Sequence, residues 1–275
     1  MNINFIGCLL MIMPVLTSCQ DNDNNGNQNI DLIELPSGFH IEVYVEDIPN
    51  ARAMVLADDG TLFVGSRSAG KIYAVTAGER EVIVLDENIS SPAGVDIYQG
   101  DLYVSAVSRI LKYPDILNHL DDPPEPVVIT DQYPDEAAHG WKFIKFGPDD
   151  KLYVPVGAPC NICLSQDSIF ASITRINPDG SNMEIIAHGV RNTVGFDWHP
   201  QTGVLWFTEN GRDHMGDHKP PDEINKLTAT GQHFGYPYVH GDSITDPQFW
   251  QKRPKDFKWK KPEVKLEAHV AALGM

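Results

Sequence analysis

The feature that most constrains the fold is a unit that recurs four times along the chain. An apolar strand leads into a tight turn built on Asp, Gly or Pro. A second apolar strand follows, and a third comes after a loop of variable length. The copies read MVLADDGTLFV then GKIYAV (54–64 and 70–75), VDIYQGDLYV then SRILKY (95–104 and 108–113), FIKFGPDDKLYV then SITRIN (143–154 and 172–177), and VGFDWHPQTGVLWF then DEINKL (194–207 and 222–227). Leu62, Leu102, Leu152 and Leu205 hold the same place in each, at spacings of 40, 50 and 53 residues. Self-similarity at such a period, with three or four short strands per copy, predicts an all-β chain folded as blades of a β-propeller. Helical periodicity competes over no comparable length. The 20 prolines and 22 glycines, scattered without period, fit a turn-rich protein of this kind.

The repeat begins only after a different kind of sequence. Phe5–Leu16 is an apolar run too short to cross a bilayer, which takes about 20 residues. It ends in Leu16-Thr17-Ser18-Cys19, which resembles the lipoprotein box of bacteria. The resemblance implies a lipoprotein signal peptide over residues 1–18 and lipidation of Cys19. Residues 19–34, with the polar run DNDNNGNQN at 21–29, read as a flexible tether. The folded domain is then 35–275. The expected location is the bacterial cell envelope, facing the periplasm or exterior, with the membrane touched only through the lipid. A formal charge of −17 argues against nucleic acid and anionic lipid surfaces as partners.

Of four cysteines, Cys8 would leave with the signal and Cys19 would carry the lipid, so Cys160 and Cys163 remain in the domain. In an oxidising envelope this C-x-x-C pair is most simply a local disulfide. Redox or metal-binding roles stay open, although zinc would need two further ligands and there is no second C-x-x-C.

The densest polar chemistry lies between His188 and Asn225. There Arg191-Asn192 precedes the fourth strand pair and Gly211-Arg212-Asp213 follows it, so both clusters are expected on one rim. The stretch GVRNTVGFDWHPQTGVLWFTENGRD, then PPDEIN, then GQHFGYP, together with HGWKFIKFGPDDKLYVPVGAPCNIC at 139–163, resembles the soluble sugar dehydrogenases that use pyrroloquinoline quinone (PQQ). The similarity is greatest to the sorbosone-like branch of the glucose/sorbosone dehydrogenase family, and it runs from about Leu35 to the last residue. It implies PQQ- and Ca²⁺-dependent oxidation of a sugar or sugar aldehyde, with an external cytochrome or quinone as electron acceptor.

By this resemblance, His139 is the general base. Arg191 and Asn192 bind the quinone, with Arg191 also stabilising the charge that develops on it. Gly211 and Arg212 supply backbone carbonyls to Ca²⁺ and help to hold the cofactor. One position departs from the glucose-oxidising members: Ala158 stands where they carry a carboxylate that orients the histidine. The resemblance also implies six blades, of which about four and a half are present here. An incomplete propeller with weak PQQ binding and no turnover of its own is therefore expected. The alternative is a non-redox propeller, either a Ca²⁺-dependent lactonase or a carbohydrate- or protein-binding module.

Asp213, His214, Asp217 and His218 have an H-x-x-x-H spacing, but on a loop that spacing does not bring both imidazoles to one face. Residues 252–265 carry seven of the 21 basic residues, interleaved with aromatics, and read as a solvated insertion between blades.

Overall fold

The computed structural model describes residues 30–275. The signal peptide, most of the tether, Cys8 and Cys19 lie outside the described residues. The chain divides at Glu46 into two units. In the first, the described part holds one 3₁₀ turn, Ile30–Leu32, and a segment without strands. The second, from Asp47 to Met275, holds the four predicted units as four antiparallel sheets.

Blade 1 comprises β1 (Ala51–Leu56), β2 (Leu62–Ser66), β3 (Ile72–Val75) and β4 (Val82–Asp86). Blade 2 comprises β5 (Val95–Tyr98), β6 (Asp101–Ser105), β7 (Ile110–Tyr113) and β8 (Val127–Thr130). In blade 3 are β9 (Lys145–Phe146), β10 (Leu152–Val156), β11 (Ser172–Ile176) and β12 (Glu184–His188). Blade 4 opens with β13 (Phe196–Trp198), β14 (Leu205–Glu209) and β15 (Glu223–Leu227). The first strands neighbour one another, β1 beside β5 and β5 beside β9. Among the described residues the only helical turns are three of 3₁₀ type, and no helix is long and apolar enough to cross a membrane.

Alternation along the second strands builds the core. Side chains on a strand point alternately to opposite faces, so each central blade buries one set against the blade before it and the other against the blade after. Leu102 and Val104 pack with Phe63, Ile72 and Ala74 of blade 1, while Tyr103 packs with Leu152, Val154 and Val156 of blade 3. Tyr153 in turn joins Phe196, Leu205 and Phe207 of blade 4. In blades 2 to 4 the recurring leucine thus faces the preceding blade. A one-residue slip in any of these strands would turn both sets to the wrong side. Blade 1 shows the converse. The row Met54, Val64, Tyr73, Val84 runs across its other face, and there Met54 and Leu56 are 60% and 65% exposed.

Residues 228–263 correct the expectation of an insertion between blades, because they lie within blade 4. After β15 the chain crosses to blade 3, where β16 (Gln232–His233) pairs in parallel with β12. It then forms the hairpin β17 (Val239–His240) and β18 (Ile244–Thr245) and returns as β19 (Val264–Lys265), which pairs with β15. The excursion therefore fastens blades 3 and 4 together. Its aromatics pack on one another, Phe257 edge-to-face with His233 and Tyr238 and stacked on Trp259. The closing segment adds no strand. It lies on blade 4, where Asn210 Nδ2 donates to Ala272 O at 2.9 Å and Thr208 Oγ1 to Leu273 O at 3.1 Å.

Candidate active site

In an antiparallel blade the start of the first strand and the end of the second lie at the same end. Segments before first strands and loops after second strands therefore share one rim. His139 precedes β9, Arg191 precedes β13, Cys160–Cys163 follows β10 and Gly211 follows β14.

His139 is half-buried and adopts a left-handed backbone, φ 51°. That conformation is uncommon outside glycine and is often held at functional sites. Its Nδ1 lies 2.7 Å from the carbonyl oxygen of Ala158. A carbonyl can only accept, so Nδ1 carries the proton and Nε2 keeps its lone pair. Burial lowers the imidazole pKa below its ordinary 6.5; the Ala158 bond opposes this, and the positive Arg191 lowers it further against the pull of Asp213. A neutral imidazole with a free Nε2 can accept a proton. The ring is seated on Gly157, where a Cβ would come within 2.4 Å of the His139 Cβ.

Ala158 is the physical link between the two main candidates. While its carbonyl holds His139, its N–H donates to the carbonyl of Arg191 at 2.8 Å. Arg191 is 5% exposed. Its guanidinium is gripped by the loop between the cysteines: Nε donates to Asn161 O at 2.8 Å and Nη2 to Asn161 Oδ1 at 2.9 Å. Nη1 donates to Asn210 O at 3.1 Å. The nearest carboxylate is Asp213 Oδ2, at 3.8 Å and itself exposed. Three of the five N–H groups of a guanidinium are thereby used, and the charge is poorly compensated for so buried a site. Asn192 is partly buried and accepts at its carbonyl from both nitrogens of Asn210.

The disulfide Cys160–Cys163 closes the loop that presents Asn161. Tyr236 supports this loop by accepting from the Cys163 N–H at 2.9 Å. Asn161 Oδ1 also accepts from the Asp213 N–H at 2.8 Å, which couples the loop to the Gly211-Arg212-Asp213 turn.

That turn is fixed from below. The buried Asp222 accepts from the Gly211 N–H at 2.7 Å, and Pro220 and Pro221 pack so closely that a Cβ on Gly211 would meet them at 3.0–3.1 Å. The glycine is thus explained by crowding. Arg212 is buried too, with Nη1 2.8 Å from Asp246 Oδ2. Among the described residues no hydrogen bond ends on the carbonyl of Gly211 or Arg212. Asp213, His214, Asp217 and His218 are exposed, and among the described residues no group of three or more His, Cys, Asp or Glu side chains is placed to hold a metal ion.

Sequence reasoning missed several participants. Glu209, fully buried, accepts from the Arg191 N–H at 2.6 Å. It shares the amide of Asn225 with Glu223, whose pKa burial pushes up to about 7. Lys142 is a buried strut whose Nζ donates to the carbonyls of Val107 and Gly140, the latter next to His139. Only the recurrence of buried-type strand ends at Glu209 and Glu223 could have signalled the first pair.

The comparisons with known proteins bear on this geometry. Residues 121–275, which contain His139, Ala158, Arg191 and Gly211, match the family described as glucose / sorbosone dehydrogenase. The chain belongs to that family. A relative from Borreliella burgdorferi, itself an uncharacterized protein, is 33% identical over 254 residues, which is 88% of this chain and 66% of the relative. The chain thus spans just under two thirds of that relative's length. Among solved structures, the holo form of the pyranose dehydrogenase PQQ domain from Coprinopsis cinerea superimposes with a TM-score of 0.66 at 17% identity, over 82% of this chain and 67% of that one. The PQQ-bound aldose sugar dehydrogenase from Streptomyces coelicolor gives 0.62 at 21% identity, over 80% and 69%. A calcium structure of family AA12 from Trichoderma reesei gives 0.66 at 18% identity, over 82% and 69%. At these identities the likeness shows a shared propeller fold.

Proposed function

We propose that the protein is a PQQ- and Ca²⁺-dependent dehydrogenase of sugars or sugar aldehydes that passes electrons to an external cytochrome or quinone. The observation that carries this reading is the pairing, through Ala158, of an imidazole with a free Nε2 and a buried, under-compensated guanidinium. The first suits removal of a hydroxyl proton, the second suits a planar polyanion. Of the solved structures with the same fold, one is the holo form of a PQQ domain, one is a PQQ-bound enzyme and one is a calcium structure.

The residues fit the cofactor. Arg191 has two N–H groups left for acceptors on a bound anion, and the carbonyls of Gly211 and Arg212 have no protein donor, as oxygen ligands to a hard cation require. When bound, PQQ supplies the two-electron acceptor and Ca²⁺ the electrophilic polarisation. His139 Nε2 would take the proton of the substrate hydroxyl. Arg191 holds positive charge where negative charge grows. Asn192 completes the cofactor-binding edge.

The decisive experiment is dye reduction with a panel of aldoses and sugar aldehydes, with and without PQQ and Ca²⁺. Absence of cofactor-dependent reduction in every form of the protein would end the reading. The pH profile is a second check. Because burial holds His139 below 6.5, the acid limb of kcat/KM is expected below pH 6.5. A limb above that value would mean that a carboxylate still governs the base.

The lipid anchor at Cys19 and an envelope location belong to the same proposal. They rest on the Leu16-Thr17-Ser18-Cys19 sequence. Cys19→Ser is expected to abolish lipid labelling and membrane partitioning, and wild-type partitioning of that variant would refute the anchor.

A further inference from the structure

A second cationic centre lies on the same rim, and the proposed mechanism does not use it. Arg52, in β1, and Arg67, just after β2, both lay their guanidinium over the indole of Trp141, with Cζ 4.4 and 5.2 Å from the ring centroid. Trp141 is two residues beyond His139. The ring attracts each cation modestly, but two guanidiniums on one indole repel. Arg52 is held below the ordinary guanidinium pKa by burial and by its neighbour Arg67.

The missing counter-charge is what needs explaining. The chain has 38 acidic residues to 21 basic ones, so carboxylates are plentiful. Arg175, Arg191 and Arg212 each have one within 4 Å, while among the described residues Arg109 and Arg253 have none but do not share a ring with a second guanidinium. Among the described residues, neither Arg52 nor Arg67 has any. Instead Arg52 and Trp141 border a pocket of about 200 Å³ floored by Ala53, Ala93, Phe143 and Val194. One planar cation at the lip of a small, mainly apolar pocket, with a second on the same indole, matches a carboxylate attached to a compact carbon skeleton, since the guanidinium fork pairs with both carboxylate oxygens. The volume is below that of a typical whole-ligand site, so it suits one end of a molecule that continues beyond the pocket.

We propose that Arg52, Arg67 and Trp141 form a carboxylate-binding subsite beside His139. The carboxylate has two possible sources, a sugar acid acting as substrate or the quinone cofactor itself. The inference does not depend on the redox reading, because it concerns anion binding without turnover.

The test is isothermal titration of the full chain with glucuronate, with glucose as the neutral control, and with PQQ, each alone. Wild type is expected to bind glucuronate or PQQ, and Arg52→Gln/Arg67→Gln to weaken that binding at least tenfold. Glucose binding should change less than twofold. Selective loss of glucuronate assigns the subsite to substrate; selective loss of PQQ assigns it to the cofactor. Arg67→Gln alone, at an exposed position, is expected to give a smaller loss in the same direction, and Arg67→Lys to recover part of it. If both anions bind the double and Arg67→Gln variants within twofold of wild type, or wild type binds neither anion, the proposal fails. Failed dye reduction would leave these results untouched.

Discussion

Replacing His139 by alanine is expected to lower kcat by at least about 10²-fold, the usual worth of a positioned general base, while PQQ affinity changes only a few-fold. The separation follows from the geometry. His139 makes its one fixed bond to Ala158 O, and Arg191 keeps its own grip on Asn161 and Asn210 when the imidazole is gone. Gly157→Ala is expected to reproduce much of the loss without touching the base itself. The new Cβ would lie 2.4 Å from the His139 Cβ and 3.0 Å from its carbonyl oxygen, so the left-handed His139 must move. Small displacements of a reacting group can cost as much as its deletion. Steady-state kinetics of both variants in a dye-active form of the protein, with PQQ titrated by fluorescence, check the prediction. Wild-type kcat in His139→Ala would remove the base from the mechanism.

The seating of His139 also shows what a sequence can and cannot reveal. Ala158 stands where the resemblance places a carboxylate in the glucose-oxidising members, and from residue types alone the orienting group looks lost. The structure supplies it from the backbone of that same residue, which no side-chain pattern encodes. The same holds for Arg191. The Arg-Asn pair is visible in the sequence, but its grip by Asn161 depends on a loop 30 residues earlier, and the two cysteines flanking that loop say nothing of what it holds. The blades were legible because their signal is local and repeated: a period-two strand, a turn and a fixed leucine. The excursion through β16–β18 was not, since strands of two residues carry no period and β16 pairs with residues 45 positions back. Arg52, Arg67 and Trp141 escaped notice for the same reason. Nothing in blade 1 announces that its arginines reach a tryptophan preceding blade 3.

Asp246→Ala is expected to destabilise the fold by about 3–5 kcal/mol, the cost of removing one partner from a buried ion pair. The Asp246 side chain is fully buried. Its Oδ2 accepts from Arg212 Nη1 at 2.8 Å and from His240 Nε2 at 3.1 Å, and its Oδ1 from the N–H groups of Gln248 and Phe249 at 2.8 and 2.9 Å. Burial alone would raise its pKa, but the bonds from His240 and Arg212 outweigh this and hold it below 3.8. Its contribution is therefore present above that pH and is lost as pH falls through the lowered value. Removing the carboxylate leaves Arg212 as a buried cation without a counter-charge, and leaves two backbone donors unsatisfied. Arg212→Met should cost less, because Asp246 would keep His240 and both amides. The damage should also reach the site: Arg212 sits in the turn whose carbonyls are proposed for Ca²⁺, so surviving Asp246→Ala protein should need more Ca²⁺ to retain PQQ. Urea unfolding at pH 7, and at a pH well below 3.8 where the difference between wild type and variant should shrink, measures the first claim. Destabilisation below about 1 kcal/mol, or a larger loss from Arg212→Met than from Asp246→Ala, would show that the triad does not anchor the turn.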